Sequence, residues 1–586
     1  MSRFVVGIDL GTTNTAVAFV DTGAGQGATV EGFAIPQVVQ PGQVEARSLL
    51  PSAVYLASEH ELPAGSLDVP WASGRRFAVG AFAQGRGAEV PGRLVSSAKS
   101  WLSAGGVDRG AANLPLEAPE DVEKLAPPGA SARVLEHVRD AWNNTFAQAD
   151  ESARLERQAV FLTVPASFDA VARELTLEAA EEAGLEVTLL EEPTAACYAW
   201  IAGQGDAWRK QLRPGDLMLV CDVGGGTTDF SLIEAADEGG SLELRRVAVG
   251  EHILLGGDNM DLALAYAVAG QLAKEGHKLD AWQMRGLGHA CRAAKEQLLG
   301  GTAEAVPLTV LGRGSKVIGG TLRAELTRAQ TAQTIVEGFF PRCAATERPA
   351  VPRRGGLREL GLPYAADAAV TRHLAGFLAG RLPTAVLWNG GVMKSQLLRG
   401  RLVEVLGDFG ARARVLEGTD LDRAVAHGAA YYGLVKRGQG VRIRGGVGRT
   451  YYVGIEAARP AIPGAPPALK ALCVVPFGLE EGERCAIPDR ELGLVVGEPA
   501  EFRILSSTTR RDEPGVLLDE DQTEELSELA PVEVTLPADA PEAAASAGRP
   551  VPVTLEAHVT ELGALELWCQ TRSEHRYKLE WNLRGE

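Results

Sequence analysis

Two stretches of this sequence place an aspartate at the end of an apolar run, follow it with glycine and close with threonines. The first is DLGTTN, Asp9 to Asn14, and the second is DVGGGTTD, Asp222 to Asp229. Glycine lets backbone N–H groups come close to phosphate oxygens because no Cβ stands in the way. Threonine hydroxyls add donors, and an aspartate at a strand end can hold the water shell of Mg²⁺. One such turn is as readily an ordinary hairpin. Two in register, each after an apolar strand, can clamp a triphosphate and its metal from both sides. No G-x-x-x-x-G-K-[ST] occurs and no G-x-G-x-x-G opens a helix, so the P-loop and the common dinucleotide fold are not the frame.

The elements around these turns read as strands and helices in alternation. Phe4 to Asp9 and Thr15 to Asp21 predict a strand, a tight turn and a returning strand, and Leu217 to Asp222 with Asp229 to Glu234 repeat that grammar. Two such hairpins imply two related lobes. In SARVLEHVRDAWNNTF, Ser131 is the expected N-cap and Leu135, Val138, Trp142 and Phe146 share one helical face. A helix is expected over Ala424 to Arg437, closed by Gly438, and the glycine-rich basic run Gly438 to Gly448 reads as a linker. The chain then turns to β. Val553, Leu555, Ala557 and Val559 alternate with polar residues, as do Leu579, Trp581 and Leu583, which suits an antiparallel sheet with one wet face. Ala538 to Pro550 is a low-complexity loop, and the acidic run Asp519 to Glu528 is a solvated segment.

With 586 residues, 45% of them hydrophobic, the chain can bury more than one core. A net charge of −18 argues against coating nucleic acid or acidic lipid. No leader and no apolar run long enough to span a membrane is read, so a cytoplasmic protein is expected. The seven cysteines form no C-x-x-C pair and the nine histidines no paired ligand motif, so they predict reduced, mostly buried thiols and no zinc site.

Taken together, the motifs resemble the heat shock protein 70 (DnaK-like) chaperone family of the actin-like ATPase superfamily. IDLGTTNTAVAFVD (Ile8 to Asp21) is similar to that family's first phosphate loop and VCDVGGGTTDFSLIE (Val220 to Glu234) to its second. AVFLTVPASFDAVARELTLEAAEEAGLEVTLLEEPTAACYAW (Ala159 to Trp200) resembles the segment that connects them. APPGASARVL (Ala126 to Leu135), LLGGDNMD (Leu254 to Asp261), VLWNGGVMKSQLL (Val386 to Leu398) and LDRAVAHGAA (Leu421 to Ala430) follow in collinear order. The resemblance runs over about three quarters of the chain. It implies a two-lobed α/β actin-like, duplicated ribonuclease H-like ATPase domain over residues 1–437, with lobe I to about 200 and lobe II from about 201. A linker over 438–448 and a smaller antiparallel β-sandwich domain over 449–586 would follow.

The resemblance also implies roles, position by position. Gly11, Thr12, Thr13 and Asn14 match the first phosphate loop and Gly224, Gly225, Gly226 and Thr227 the second. Lys99 matches a lysine near the γ-phosphate that orients the attacking water. Asp9, Glu192 and Asp222 match acidic residues that hold Mg²⁺ through water, and Asp229 and Thr227 join Lys99, Asp9 and Glu192 in the catalytic set. Gly257, Lys295, Gly390, Gly391, Lys394 and Asp422 match the adenosine side. Pro165 and Arg173 match residues that couple the lobes, and Glu191 reads as structural. The implied cofactors are ATP or ADP with Mg²⁺, and K⁺ as an optional further cation.

Several positions depart from the family. Arg292 stands for a glutamate, Leu299 for a serine and Lys394 for an arginine, which removes a planar stacking surface. Thr188 and Glu191 replace residues that seat a J-domain, which counts against a standard J-domain partner. VRIR (Val441 to Arg444) reverses the charge of the family's docking linker while keeping the pattern of a strand that can join a sheet edge. No helical lid is expected after Glu586. The expected function is ATP hydrolysis between two lobes coupled to binding an unfolded or specific client polypeptide, with an exchange factor and stress-related protein folding implied. A nucleotide-switch scaffold with one partner and a small-molecule kinase are the alternatives; no cleft-facing aspartate motif for a kinase base is found.

Overall fold

The computed structural model describes residues 2–579 except 60, 105–106, 239–240, 311–320, 352–360, 439–442, 445–446, 448, 457–468, 480–482, 488–489, 508, 524, 530, 538–549 and 560–564. Both predicted hairpins form. Strand β1 (Phe4–Leu10) pairs antiparallel with β2 (Asn14–Asp21), and β3 (Ala159–Val164) and β4 (Val187–Glu191) lie parallel beside β1, in the order β4–β3–β1–β2. In the second sheet, β5 (Leu217–Val223) and β6 (Thr228–Glu238) form the hairpin and β7 (Ser241–Val249) pairs antiparallel with β6. Strands β8 (Ala385–Asn389) and β9 (Arg414–Leu416) extend the other side in parallel. The sheets share one scheme: a hairpin whose first strand collects parallel partners, and whose second collects an antiparallel one. In the first sheet that last place is taken by the short strand Glu31–Gly32.

Period-2 writing decides which way each strand faces. Along β1, Phe4, Val6, Ile8 and Leu10 enter a core with Trp142 and Leu135, while Val5 faces the opposite way into a second core. Helices cover both faces, which is why β1 is almost continuously buried. The helices that matter for the site are α1 (Ala98–Leu102), α2 (Pro127–Phe146), α3 (Ala170–Glu182), α4 (Glu192–Gln204), α5 (Gly257–Lys274), α6 (Ala281–Gly300) and α7 (Ala424–Lys436). Ser131 does not cap α2. Pro127 and Pro128 occupy its first turn, where a missing N–H costs nothing, and the Ser131 hydroxyl donates back to the Pro127 carbonyl at 3.0 Å. The expected apolar face is present, with Leu135, Val138 and Trp142 buried and Phe146 packed beside them.

Helices α4 and α7 lie between the two sheets. Their core joins Val5, Phe161 and Leu190 of the first sheet to Met218, Val220, Ile233 and Leu387 of the second. Although α7 follows the second sheet in the chain, it packs on β1: a Cβ on Gly7 would lie 2.3 Å from the Ala426 carbonyl oxygen, and one on Gly433 2.1 Å from Val5. The two helices also touch each other, since a Cβ on Gly428 would fall 1.7 Å from the Ala195 carbonyl oxygen. Arg437 ends α7 and Gly438 follows at φ 82°.

In the linker, β10 (Ile443–Arg444) adds to the edge of the second sheet, parallel to β7, through Leu244 with Ile443 and Arg245 with Arg444. Beyond it two antiparallel sheets face one apolar core. One is built on Thr450–Glu456 and Leu469–Val475, the other on Val551–Val559, Leu565–Thr571 and Arg576–Leu579. Val553, Leu555, Ala557 and Val559 point inward as their alternation predicts. Leu579 is buried, while Trp581, Leu583 and the loop over 538–549 lie outside the described residues. The acidic run is mostly exposed. Six cysteines are buried, Cys485 is half-buried, and all seven are free. Among the described residues, no helix is long and apolar enough to cross a membrane.

Candidate nucleotide site

Each glycine turn is closed by one backbone hydrogen bond, from Gly11 N–H to the Asn14 carbonyl at 3.1 Å and from Gly224 N–H to the Thr227 carbonyl at 2.9 Å. The turns face each other in contact. A Cβ on Gly225 would lie 2.2 Å from Thr13 Oγ1, and one on Gly226 2.7 Å from Thr12 Cγ2. A third glycine turn follows β8. Gly390 sits at φ +83°, and a Cβ there would lie 2.4 Å from the Val223 carbonyl oxygen and 2.5 Å from Asp222 Oδ1. Helix α5 starts on the second turn, with Gly257 N–H donating to the Gly224 carbonyl at 3.0 Å and Asp258 N–H to that of Gly225 at 2.7 Å. The result is a cleft of about 650 Å³, ample for a small-molecule ligand.

The cleft gathers most of the residues singled out from sequence. Asp9, Gly11 to Asn14, Lys99, Pro165, Glu192, Asp222, Gly224, Gly225 and Thr227 line one part, while Gly257, Lys295, Gly390, Gly391, Lys394 and Asp422 line the rest. Gly226 touches Thr12. Asp229 lies in an adjoining small cavity with Pro165, Glu192 and Asp222. Strand ends do the positioning: Asp9 closes β1, Asp222 closes β5 opposite Asp229, and Glu192 heads α4. Lys99, on α1, is buried and paired with Glu192.

Electrostatics here is dominated by crowded carboxylates. Burial pushes Asp9 up to about 7, opposed by Lys99 and reinforced by Glu192. Asp222 is raised well above the usual carboxylate range by burial and then by Glu192 and Asp229, against a hydrogen bond from Asn389. Burial works against the charge on Lys99, yet Glu192, Asp9 and Asp229 prevail and hold its ammonium above the ordinary lysine value. Four carboxylates facing one lysine form an acceptor set of the kind a hard cation neutralises. The buried Thr13 Oγ1, without a hydrogen-bond partner among the described residues, is a further polar atom at the facing turns. These groups fit a hydrated Mg²⁺ with a nucleotide. Among the described residues no group of three or more His, Cys, Asp or Glu is placed to hold a metal ion.

In the second part of the cleft Lys295 donates to the Gly257 carbonyl at 3.0 Å and pairs with Asp261 at 2.7 Å. Arg292 and Leu299 also line the cleft. Arg292 donates to Asp261 at 3.1 Å and pairs with Asp258, so the departure from glutamate is matched by two neighbouring carboxylates. Lys394 pairs with Asp422.

Sequence reasoning missed the supports beneath this cleft. The Ser167 hydroxyl donates to Asp229 Oδ1 at 2.8 Å and His252 Nδ1 lies 3.0 Å from the same oxygen. Arg449, at the start of the C-terminal sheets, donates to the Ser167 carbonyl at 2.9 Å. Arg173 reaches Glu191 at 2.7 Å, and Glu191 also pairs with Arg246 of β7, which ties the first sheet to the second. Glu191 is thus structural, as read from sequence. Across the rim, the Trp282 indole of α6 donates to the Glu89 carbonyl at 3.1 Å and Arg285 pairs with Glu117 at 3.4 Å. Asn389 lines the cleft too. Its place in the quoted run VLWNGGV was visible, but one amide among apolar neighbours carried no signal.

Residues 101–351 match the family model described as Hsp70 protein. The chain is 32% identical over 372 residues to a chaperone protein HscA homolog of Pseudomonas aeruginosa (strain LESB58), an alignment covering 60% of this chain and 49% of that protein. It is 30% identical over 440 residues to the HscA homolog of Burkholderia multivorans, covering 73% of this chain and 58% of that one. With the HscA homolog of Methylococcus capsulatus the identity is 32% over 374 residues, covering 61% and 50%. The chain thus spans about half of the length of the first curated relatives it matches.

Proposed function

We propose that this chain, similar to the Hsp70 family model over residues 101–351 and to chaperone HscA homologs, is an Hsp70-type, ATP-driven chaperone that binds and slowly hydrolyses Mg²⁺-ATP between two actin-like lobes. The observation that carries this reading is the contact between the two glycine turns, Gly225 against Thr13, with Lys99, Asp9, Glu192 and Asp222 in the cleft and Asp229 in the small cavity beside it. In this reading residues 1–437 form the ATPase domain, 438–448 the linker and 449–586 a β-sandwich that holds an extended client polypeptide.

The roles follow from where each group stands. Backbone N–H groups of both turns and the Thr12, Thr13 and Thr227 hydroxyls hold the phosphates. Asp9, Asp222 and Glu192 hold Mg²⁺ through its waters, and when bound the ion neutralises charge on the phosphates. Asp229, fixed by Ser167 and His252, accepts a hydrogen bond from the attacking water, and Lys99 orients that water and offsets charge at the γ-phosphate. Lys295, the Gly390–Gly391 turn and Asp422 receive the adenosine. Strand β10 and the Arg449–Ser167 contact connect the cleft to the C-terminal sheets and support a coupling between nucleotide state and client affinity. A client polypeptide and an exchange factor are the partners, and the cytoplasm is the location.

Lys99→Ala tests the reading. Hydrolysis should fall by about 10²–10³, as for loss of one electrostatic donor, with ATP binding retained. Hydrolysis at the wild-type rate would overturn the assignment. Anisotropy of labelled unfolded peptides, measured with ATP, with ADP and without nucleotide, tests the client half. Peptide affinity should weaken with ATP, and no binding in any state would overturn it.

A further inference from the structure

Asn389 is out of character with its strand. Every residue of β8, Ala385 to Asn389, is buried, and the first four are apolar. Asn389 is 3% exposed and stands beside Asp222 in the parallel register of β8 with β5. Its Nδ2 donates to Asp222 Oδ2 at 2.5 Å. With Asp222 ionised, as a cation bound beside it would hold it, only the amide nitrogen can donate to that oxygen, which leaves Oδ1 as the free acceptor. The other end, Oδ1, is buried and has no hydrogen-bond partner among the described residues, though the residue lines the cleft. A buried carbonyl oxygen left without a donor is unfavourable, whereas an apolar side chain here would carry no such penalty. The arrangement makes sense if a ligand supplies the donor.

The neighbours identify that ligand. Asp222 is one of three carboxylates read above as holding hydrated Mg²⁺, and at the next position a Cβ on Gly390 would lie 2.5 Å from Asp222 Oδ1, so only glycine leaves that side chain its place. A neutral oxygen adds an acceptor for metal-bound water without adding to the negative charge already crowded there. Mg²⁺ keeps most of its waters and takes them to oxygen acceptors. We propose that Asn389 belongs to the cation site: its Nδ2 fixes the orientation of Asp222 and its Oδ1 accepts a hydrogen bond from a water of the hydrated Mg²⁺. This rests on the nucleotide reading and assigns a residue that the family resemblance did not supply.

The test uses the full chain and labelled ADP, with affinity measured in excess Mg²⁺ and in EDTA. Asn389→Val removes both amide atoms, and the smaller Asn389→Ser, made in parallel, cannot overpack the strand. The wild type should bind ADP more tightly with Mg²⁺. In both variants that gain should shrink by about tenfold, the scale of a lost charge-assisted, water-mediated contact, while the affinity in EDTA stays within about twofold. Equal losses in Mg²⁺ and in EDTA would mean that Asn389 only shapes the cleft wall, and would overturn the assignment. So would an undiminished Mg²⁺ gain in either folded variant. A wild type whose ADP affinity does not respond to Mg²⁺ would instead overturn the nucleotide reading beneath it, which keeps the two failures apart.

Discussion

The carboxylate crowding at the cleft makes a quantitative demand on stability. Asp9 titrates at about 7 in the fold against 3.8 for the ordinary side chain. A carboxyl raised in this way stabilises the fold while protonated. Its contribution is whole below the unfolded value and is lost as pH rises through the folded one. Across that window the linkage amounts to on the order of 4 kcal/mol, of which about 2 kcal/mol falls between pH 5.5 and pH 8. For a domain of more than four hundred residues that corresponds to a fall in Tm of about 2 °C. Asp222 shifts in the same direction and adds to the slope. The assay is thermal unfolding of nucleotide-free wild type and Asp9→Asn across this range, followed by far-UV circular dichroism. Asn keeps the size and does not titrate, so its curve should lose about 2 kcal/mol of the decline while retaining the part due to Asp222. Mg²⁺-ADP should flatten the wild-type slope, giving a larger thermal shift at pH 8 than at pH 5.5. Parallel wild-type and Asp9→Asn curves, or a wild type whose stability rises over this range, would refute the electrostatic argument.

Three further outcomes are expected. Gly428→Ala places a Cβ 1.7 Å from the Ala195 carbonyl oxygen, so it should destabilise the fold by about 3 kcal/mol in urea unfolding, at the upper end for overpacking. Arg246→Met leaves Glu191 with one of its two buried cationic partners and should cost about 3 kcal/mol, whereas Glu191→Leu combined with Arg246→Met should recover most of it in a double-mutant cycle. Arg449→Ala removes the hydrogen bond to the Ser167 carbonyl, and limited proteolysis of the linker over 438–448 should accelerate about 3–10-fold through a bond worth about 1 kcal/mol.

What could be read in the sequence was local. The hairpins over Phe4 to Asp21 and Leu217 to Glu234 were legible because an apolar period and a glycine turn lie within about twenty residues of each other. The inward face of Val551–Val559 followed from alternation alone. The facing of the two turns was inferred from their repetition, and the contact of Gly225 with Thr13 is its physical form. The start of α2 was misread, because the serine rule was applied where two prolines already set the first turn. Tertiary contacts were out of reach for a different reason. That α7 returns to β1, that Arg246 meets Glu191, and that His252 supports Asp229 all depend on packing between segments far apart in the chain. Neither propensity nor spacing encodes these.

The contact between α4 and α7 has a mechanical consequence. The helices meet at backbone distance where Gly428 faces Ala195, and Tyr198 of α4 packs on Tyr431 and Tyr432 of α7, so the crossing is a tightly packed fulcrum. This fulcrum lies close to the cleft floor, since Glu192 heads α4 and Asp422 stands two residues before α7. Groups near a fulcrum travel little when the arms turn, so the floor of the cleft keeps its alignment. The rim, at the end of the lever, travels most, and among the described residues its polar crossings include the Trp282 indole on the Glu89 carbonyl and the exposed Arg285–Glu117 pair. In the two-lobed reading proposed above, the molecule works as a pair of tongs with a stiff hinge and a light grip at the tips, and the residence of a bound nucleotide would be set at the rim, far from the cleft floor.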